Sequence, residues 1–222
     1  MFLILLTKGL GWDFIKNINM ENLDYSKVIV ALDNFSVPMA EEIMDRWRSQ
    51  VYGFKLNHLL YPYVGKYHNK IFCDYKLFDI PNTMCTVIEH LITSGADMVT
   101  VHMSNNKKSI ETLKQYSQDI KLLGVTVLTS WDNEDVNNVY NSSLESCYNR
   151  SIDLMEDNGF YGMICSPQDL SVIKHTSLKK ICPGIRLTPG IDDQVRTSSA
   201  EQAFSAGADY LVMGRSFFNN KQ

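Results

Sequence analysis

The sequence predicts a single-domain α/β protein folded as a (β/α)8 TIM barrel, and three observations lead there. Eight short β-rich runs recur with helical patterns between them, which implies right-handed βαβ units and a parallel sheet. Eight such runs in 222 residues fit a closed barrel with short loops. Two helix exits repeat one motif, Ser94-Gly95-Ala96-Asp97 before the fourth strand and Ala206-Gly207-Ala208-Asp209 before the eighth. Such repetition marks a recurring helix–turn–strand unit. An open doubly wound sheet is the alternative, but no GxGxxG follows the first strand.

Taken in order, the chain opens with an N-terminal arm or helix over residues 1–27, expected to pack across the barrel bottom. The barrel then occupies residues 28–222, since no linker, low-complexity tract or composition shift marks a second domain. The first strand is expected over Val28–Leu32, followed by a helix over Pro38–Gln50, then strands Val51–Leu56 and Ile71–Lys76. A helix over Asn82–Ser94 leads to strand Met98–Val101, and one over Lys107–Gln118 to strand Gly124–Leu128. Helix Leu144–Asn158 precedes strand Tyr161–Cys165, and helix Pro167–His175 precedes strand Ile181–Ile185. The last helix, Ser199–Ala206, feeds strand Tyr210–Met213. Gly95, Gly159 and Gly207 stand where helix C-termini favour glycine.

Composition narrows the function classes. Apolar residues make up 45% and charged residues 21%, as in an ordinary globular protein able to bury a core without disulfide or metal staples. A net charge of −4, with no run of Lys and Arg, favours neither nucleic acid nor an anionic membrane. Five irregularly spaced cysteines (Cys73, Cys85, Cys147, Cys165, Cys182) include no CxxC and no zinc-ligand spacing, so they read as reduced, mostly buried thiols. The apolar run Met1–Leu6 is about half a secretory core, and Lys8 follows it rather than preceding it. No apolar run approaches the roughly 20 residues that span a bilayer. The expectation is a soluble cytoplasmic protein.

In such a barrel, chemistry belongs at the C-terminal ends of the strands. Asp33 closes the first strand, Lys55 lies near the end of the second, and Asp74 and Lys76 end the third, with Asp79 just beyond. Strand alternation points Asp74 and Lys76 the same way. Any one of these charges reads equally well as a surface ion pair. Three consecutive strand ends carrying opposite charges do not suit a core, where an unpaired charge costs several kcal/mol. A lysine held between carboxylates stays protonated, which favours proton delivery over Schiff-base chemistry.

A second signal lies downstream. Pro183-Gly184-Ile185-Arg186 follows the seventh strand and Gly214-Arg215-Ser216 the eighth, where barrels commonly bind phosphate. Glycine admits the anion to backbone N–H groups and arginine offers a bidentate fork. The bland alternative makes Gly184 and Gly214 mere turn residues. Residues 186–196, with Pro189-Gly190, are the expected phosphate-gripping lid.

Asp74-Tyr75-Lys76-Leu77-Phe78-Asp79-Ile80-Pro81-Asn82-Thr83 resembles the DxKxxDIPNT signature of the orotidine 5′-monophosphate decarboxylase family. Ala31-Leu32-Asp33, Phe54-Lys55, Val127-Leu128-Thr129-Ser130, Pro183–Arg186, Asp193-Gln194-Val195-Arg196 and Gly214-Arg215 are similar to its other blocks, in the same order. The resemblance runs from about residue 28 to the end. It implies a cofactor-independent, metal-free decarboxylation of orotidine 5′-monophosphate to uridine 5′-monophosphate, the last step of de novo pyrimidine nucleotide synthesis. The ribose would lie near Asp33 and Lys55. Asp74 would face the substrate carboxylate, and Lys76 would protonate the ring carbon. Ser130, beside Thr129, would contact the pyrimidine. Gln194, Gly214 and Arg215 would hold the phosphate, with Pro183 and Arg186 nearby. Asp79 and Thr83 would reach into a neighbouring subunit's site, making the active unit a homodimer.

Two other readings stay open. The wider suprafamily, with keto-gulonate-phosphate decarboxylase and hexulose-phosphate synthase, is similar only over the DxKxxD core, and a magnesium requirement would point there. A nucleotide-binding protein without catalysis would have no need of the cluster Lys55, Asp74, Lys76 and Asp79. His102 and Trp131 could face a ligand, though each reads better as structural.

Overall fold

Alternating β-branched and aromatic runs produce eight parallel strands, and their hydrogen bonding closes into a barrel in sequence order. The strands are β1 Val28–Ala31, β2 Gly53–Leu56, β3 Lys70–Leu77, β4 Met98–His102, β5 Lys121–Val125, β6 Gly162–Ile164, β7 Lys179–Cys182 and β8 Tyr210–Met213. In this computed structural model, residues 23–33, 35–57, 70–186 and 198–218 are described. The predicted fold class is the observed one. Most of the arm expected over residues 1–27 lies outside the described residues; its end, Tyr25–Lys27, is a 3-10 turn capped by Asp24. Tyr25 stacks on Trp47 and meets Phe217 edge-on, so this turn packs on the barrel's flank.

Two apolar layers hold the barrel. Inside, alternate residues Ile29, Phe72, Met98, Leu123, Ile181 and Val212 come from six strands and fill the lumen. Outside, the intervening residues, such as Val28, Val30, Phe54, Ile71 and Val99, pack against the helices. These are α1 Val37–Trp47, α2 Pro81–Thr93, α3 Lys107–Leu113, α4 Asn133–Tyr140, α5 Leu144–Asp157, α6 Ala200–Ser205 and α7 Arg215–Phe218. Gly95, Gly159 and Gly207 adopt φ of 84°, 70° and 107°, the left-handed backbone expected of them.

Several boundaries differ from the prediction, each for a local reason. β5 begins three residues early, because Gly124 is a mid-strand residue rather than a strand start. A Cβ there would stand 2.1 Å from Met155 Sδ, so the missing side chain is the room into which α5 packs. The helix expected over Pro167–His175 is only a 3-10 turn, Pro167–Asp169. The backbone bonds are of the i→i+3 kind, Asp169 N–H to Ser166 O and Val172 N–H to Asp169 O, and side chains anchor the segment: buried Asp169 accepts from Tyr148 Oη at 2.8 Å, and Thr176 donates to Glu156 at 2.6 Å. The helix expected over Lys107–Gln118 ends at Leu113 and tightens into a 3-10 turn. The unpredicted α4 is set by a capping box between Asp132 and Asp135 and stopped by left-handed Asn141. The unpredicted α7 is a single turn.

Candidate active site

β1, β2 and β3 deliver their polar residues to one mouth of the barrel. The Lys55 ammonium lies 2.5 Å from Asp33 Oδ2 and 3.0 Å from Asp74 Oδ2, and Lys76 Nζ lies 2.9 Å from Asp74 Oδ1. The result is an alternating chain, Asp33–Lys55–Asp74–Lys76. Side-chain exposure falls to 12% at Lys55 and 16% at Asp74 but stays at 41% at Lys76, so Lys76 is the cation presented to the mouth. Burial alone would lower the Lys55 pKa, but Asp74 and Asp33 outweigh it and raise it. Burial alone would raise Asp74, but Lys55 and Lys76 outweigh it and hold its pKa below the usual carboxylate range. At neutral pH, Lys55 and Asp74 are therefore both charged.

Asp74 and Lys76 lie together, as strand alternation predicts, but alternation is only part of the reason. β3 is bulged against β4: Cys73 faces Val99 and Leu77 faces Val101, leaving three residues opposite one. Within that bulge Lys76 has φ of 48°. Its N–H donates to Thr100 Oγ1 at 2.8 Å, and the Thr100 hydroxyl donates to Asp74 Oδ1 at 3.1 Å. Thr100 was missed from the sequence; its one signal is a hydroxyl inside the apolar strand Met98–His102.

One carboxylate oxygen in this network stays open. Asp33 Oδ1 is buried and accepts no hydrogen bond from the described residues, whereas Oδ2 is taken by Lys55. A buried acceptor left unfilled in the free protein suits a ligand hydroxyl.

Residues 26–222 match the Orotidine 5'-phosphate decarboxylase / HUMPS family. The chain belongs to that family. An orotidine 5'-phosphate decarboxylase from Idiomarina loihiensis is 32% identical over 206 residues, 85% of this chain and 89% of that one. Its namesake from Dictyoglomus thermophilum is 33% identical over 214 residues, covering 86% and 88%. The fold of the Lactobacillus acidophilus orotidine 5'-phosphate decarboxylase is similar at a TM-score of 0.70 and 24% identity, over 86% of this chain and 90% of that one.

The family's other expected site residues fall in three groups. Asp79 and Thr83 are exposed, beside Phe78 and Ile80, each 65% exposed; Asp79 Oδ1 accepts from the Ile80 N–H at 2.7 Å. Among the described residues neither Asp79 nor Thr83 makes a hydrogen bond or ion pair to the Asp33–Lys55–Asp74–Lys76 chain. Thr129 and Ser130 lie in a turn after β5, closed by Trp131 N–H on Leu128 O at 2.9 Å, with Ser130 exposed. Pro183 and Arg186 follow β7. There Gly184 takes φ of 79°, and Ile185 forms a parallel bridge with Ser198. Gln194 and most of the expected lid lie outside the described residues. Gly214 follows β8 and Arg215 opens α7.

Two further aromatic residues are placed. Trp131 packs with Val127, Val136 and Cys147 and lies 5.9 Å from the Tyr140 ring, a packing role. His102 stands beyond Thr100 on the same strand face, its Nδ1 accepting from Ser104 N–H at 3.2 Å. Burial, reinforced by Lys76, lowers its pKa, so it is neutral at pH 7.

Proposed function

We propose that this chain decarboxylates orotidine 5′-monophosphate to uridine 5′-monophosphate, a carboxy-lyase reaction of pyrimidine biosynthesis, with Lys76 as the proton donor and no cofactor. The observation that carries the reading is the Asp33–Lys55–Asp74–Lys76 chain at the mouth of a barrel whose sequence falls in this family. Losing carbon dioxide from the pyrimidine ring leaves an electron pair with no conjugated sink. Its stabilisation must come from a cation already in place. Lys76 is the exposed end of a chain whose inner members are fixed, so its charge is preorganised rather than recruited.

Asp74 is doubly held, by Lys76 on one oxygen and Lys55 on the other, and cannot swing away from a carboxylate brought beside it. It therefore disfavours the charged substrate more than the neutral product. The open oxygen of Asp33 takes a ribose hydroxyl, together with Lys55. Thr129 and Ser130 meet the pyrimidine, and Gln194, Gly214 and Arg215, with Pro183 and Arg186, hold the phosphate. Binding energy gathered at that distant phosphate closes the site over the reacting carbon.

Asp79 and Thr83 complete a second subunit's site in a homodimer. The exposed apolar pair Phe78 and Ile80 beside them supports this, since large apolar side chains flanking a functional carboxylate suit burial against a partner. Among the described residues no helix is long and apolar enough to cross a membrane, and the five cysteines are unpaired; we assign the enzyme to the cytoplasm.

The test is the ultraviolet absorbance of orotidine 5′-monophosphate mixed with purified protein and excess chelator. Loss of substrate absorbance is expected with the native chain and not with Lys76→Ala. A folded protein that leaves this substrate unchanged, yet turns over a sugar phosphate once magnesium is supplied, would overturn the reading.

A further inference from the structure

Thr100 sits mid-strand in β4, with no solvent exposure, beside the charge chain. The bulge in β3 explains why a hydroxyl is useful there. Asp74, Tyr75 and Lys76 stand opposite Thr100 alone, so the regular ladder cannot supply every backbone partner they need. At Lys76 the backbone turns left-handed, a conformation a residue with a side chain keeps only when its surroundings fix it. The Lys76 N–H finds its partner in Thr100 Oγ1 at 2.8 Å, and the same hydroxyl donates a hydrogen bond to Asp74 Oδ1 at 3.1 Å. One hydroxyl can hold both bonds, because it has one donor and two acceptor sites.

We infer that Thr100 is a positioning residue for the decarboxylation, setting through one hydroxyl both the backbone from which Lys76 projects and the orientation of the carboxylate Lys76 holds. This rests on the function proposed above. Asp74 Oδ1 receives Lys76 Nζ and Thr100 Oγ1 while Oδ2 receives Lys55 Nζ; three donors leave the carboxylate one orientation. Removing the hydroxyl strips a partner from the Lys76 N–H and from Asp74 together. The ammonium then moves with the backbone that carries it, and a shift of about 1 Å in a reacting group costs about 100-fold in rate. Thr100 makes its side-chain bonds to protein groups, so its removal acts on turnover rather than on affinity.

The full chain carrying Thr100→Val keeps the side-chain shape without the hydroxyl; Thr100→Ser keeps the hydroxyl without the methyl. Thr100→Val is expected to lower kcat about 10- to 100-fold with KM within about threefold, and Thr100→Ser to stay within about threefold of native in both. In the substrate-free protein, the Lys76 amide should exchange with solvent faster in Thr100→Val and at the native rate in Thr100→Ser. If the valine variant does not fold, Thr100→Ser against Thr100→Ala repeats the comparison, since these differ by the hydroxyl alone. Native activity in Thr100→Val with an unchanged Lys76 amide would overturn the inference. So would a Thr100→Ser loss as large as that of Thr100→Val, which would assign the effect to packing. A native chain that fails to decarboxylate would sink the proposed function instead, and amide exchange would still decide whether Thr100 holds the backbone.

Discussion

Both mouths of this barrel hold lysines, and the two sets are satisfied in different ways. At the C-terminal mouth Lys55 and Lys76 are bonded to carboxylates, in a chain where both ammonium groups and both oxygens of Asp74 have set partners. At the N-terminal mouth Lys179 pairs with Asp209 at 2.9 Å, while Lys70 and Lys121 are held by tyrosines. Lys70 sits 4.3 Å from the Tyr52 ring centre; Lys121 sits 4.3 Å from the Tyr161 ring and donates to Tyr52 Oη at 2.9 Å. Tyr52 packs on Tyr210 with ring centres 4.3 Å apart, and the Tyr161 and Tyr210 hydroxyls meet at 3.2 Å. Burial pushes the Tyr52 phenol up to about 12, so it stays neutral. A ring face satisfies an ammonium broadly, at about 0.5–2 kcal/mol, and closes the barrel as a plug. A carboxylate satisfies it directionally and keeps a full charge pair at the site. Lys70 and Lys121 thus serve structure below, and Lys55 and Lys76, in their carboxylate chain, serve chemistry above.

The largest effect should come from removing the hub of the upper chain. Asp74→Ala leaves Lys76 without its carboxylate and Lys55 with one; turnover should fall at least about 1,000-fold, and stability by about 3 kcal/mol. Steady-state kinetics and urea denaturation would check both. A loss of stability with activity kept would erase the contrast between the mouths.

The upper mouth should also depend on a second subunit, as the lower should not. Mixing inactive Lys76→Ala chains with inactive Asp79→Ala chains should recover about a quarter of native activity, from one intact site in each mixed dimer. No recovery after confirmed subunit exchange would place Asp79 in its own subunit's site or outside any site.

A smaller effect concerns pH. Asp74 has a lowered folded pKa, so its stabilisation is complete above its unfolded value and is lost as pH falls through that value towards the folded one. Lys55 has a raised folded pKa, so its contribution is complete below the unfolded value and is lost as pH rises through the folded one, above 10.5. Stability measured by urea should therefore decline in acid below about pH 4, and less steeply in Asp74→Asn. An unchanged acid slope in that variant would remove Asp74 from the explanation.

Smallest is the lower plug. Tyr210→Phe deletes one hydroxyl contact with Tyr161 and should cost about 1 kcal/mol of stability while leaving kcat and KM within error. An altered kcat would mean that the lower mouth communicates with the upper one.

What the sequence disclosed, and what it hid, follow the range of the forces involved. Strand positions were legible because apolar runs bounded by turn residues are local signals. The upper charges were legible because Asp33, Lys55, Asp74 and Lys76 interrupt those runs at the ends. α4 was hidden because its signal is a short Asp132–Asp135 cap over a mostly polar segment. The true span of β5 was hidden because Gly124 answers to Met155, 31 residues away. Thr100 was hidden for the same reason: its meaning lies in a bulge on a neighbouring strand, which no spacing within β4 reveals.

The most direct measurement sets one lysine from each mouth side by side. Turnover of orotidine 5′-monophosphate and thermal stability would be recorded for Lys76→Ala and Lys121→Ala against the native chain. Lys76→Ala should fold with native-like stability and lose turnover at least about 1,000-fold; Lys121→Ala should lose about 1–2 kcal/mol of stability and keep its turnover while folded. Equal losses of activity in the two variants, or an active Lys76→Ala, would contradict the assignment of chemistry to the carboxylate-held mouth.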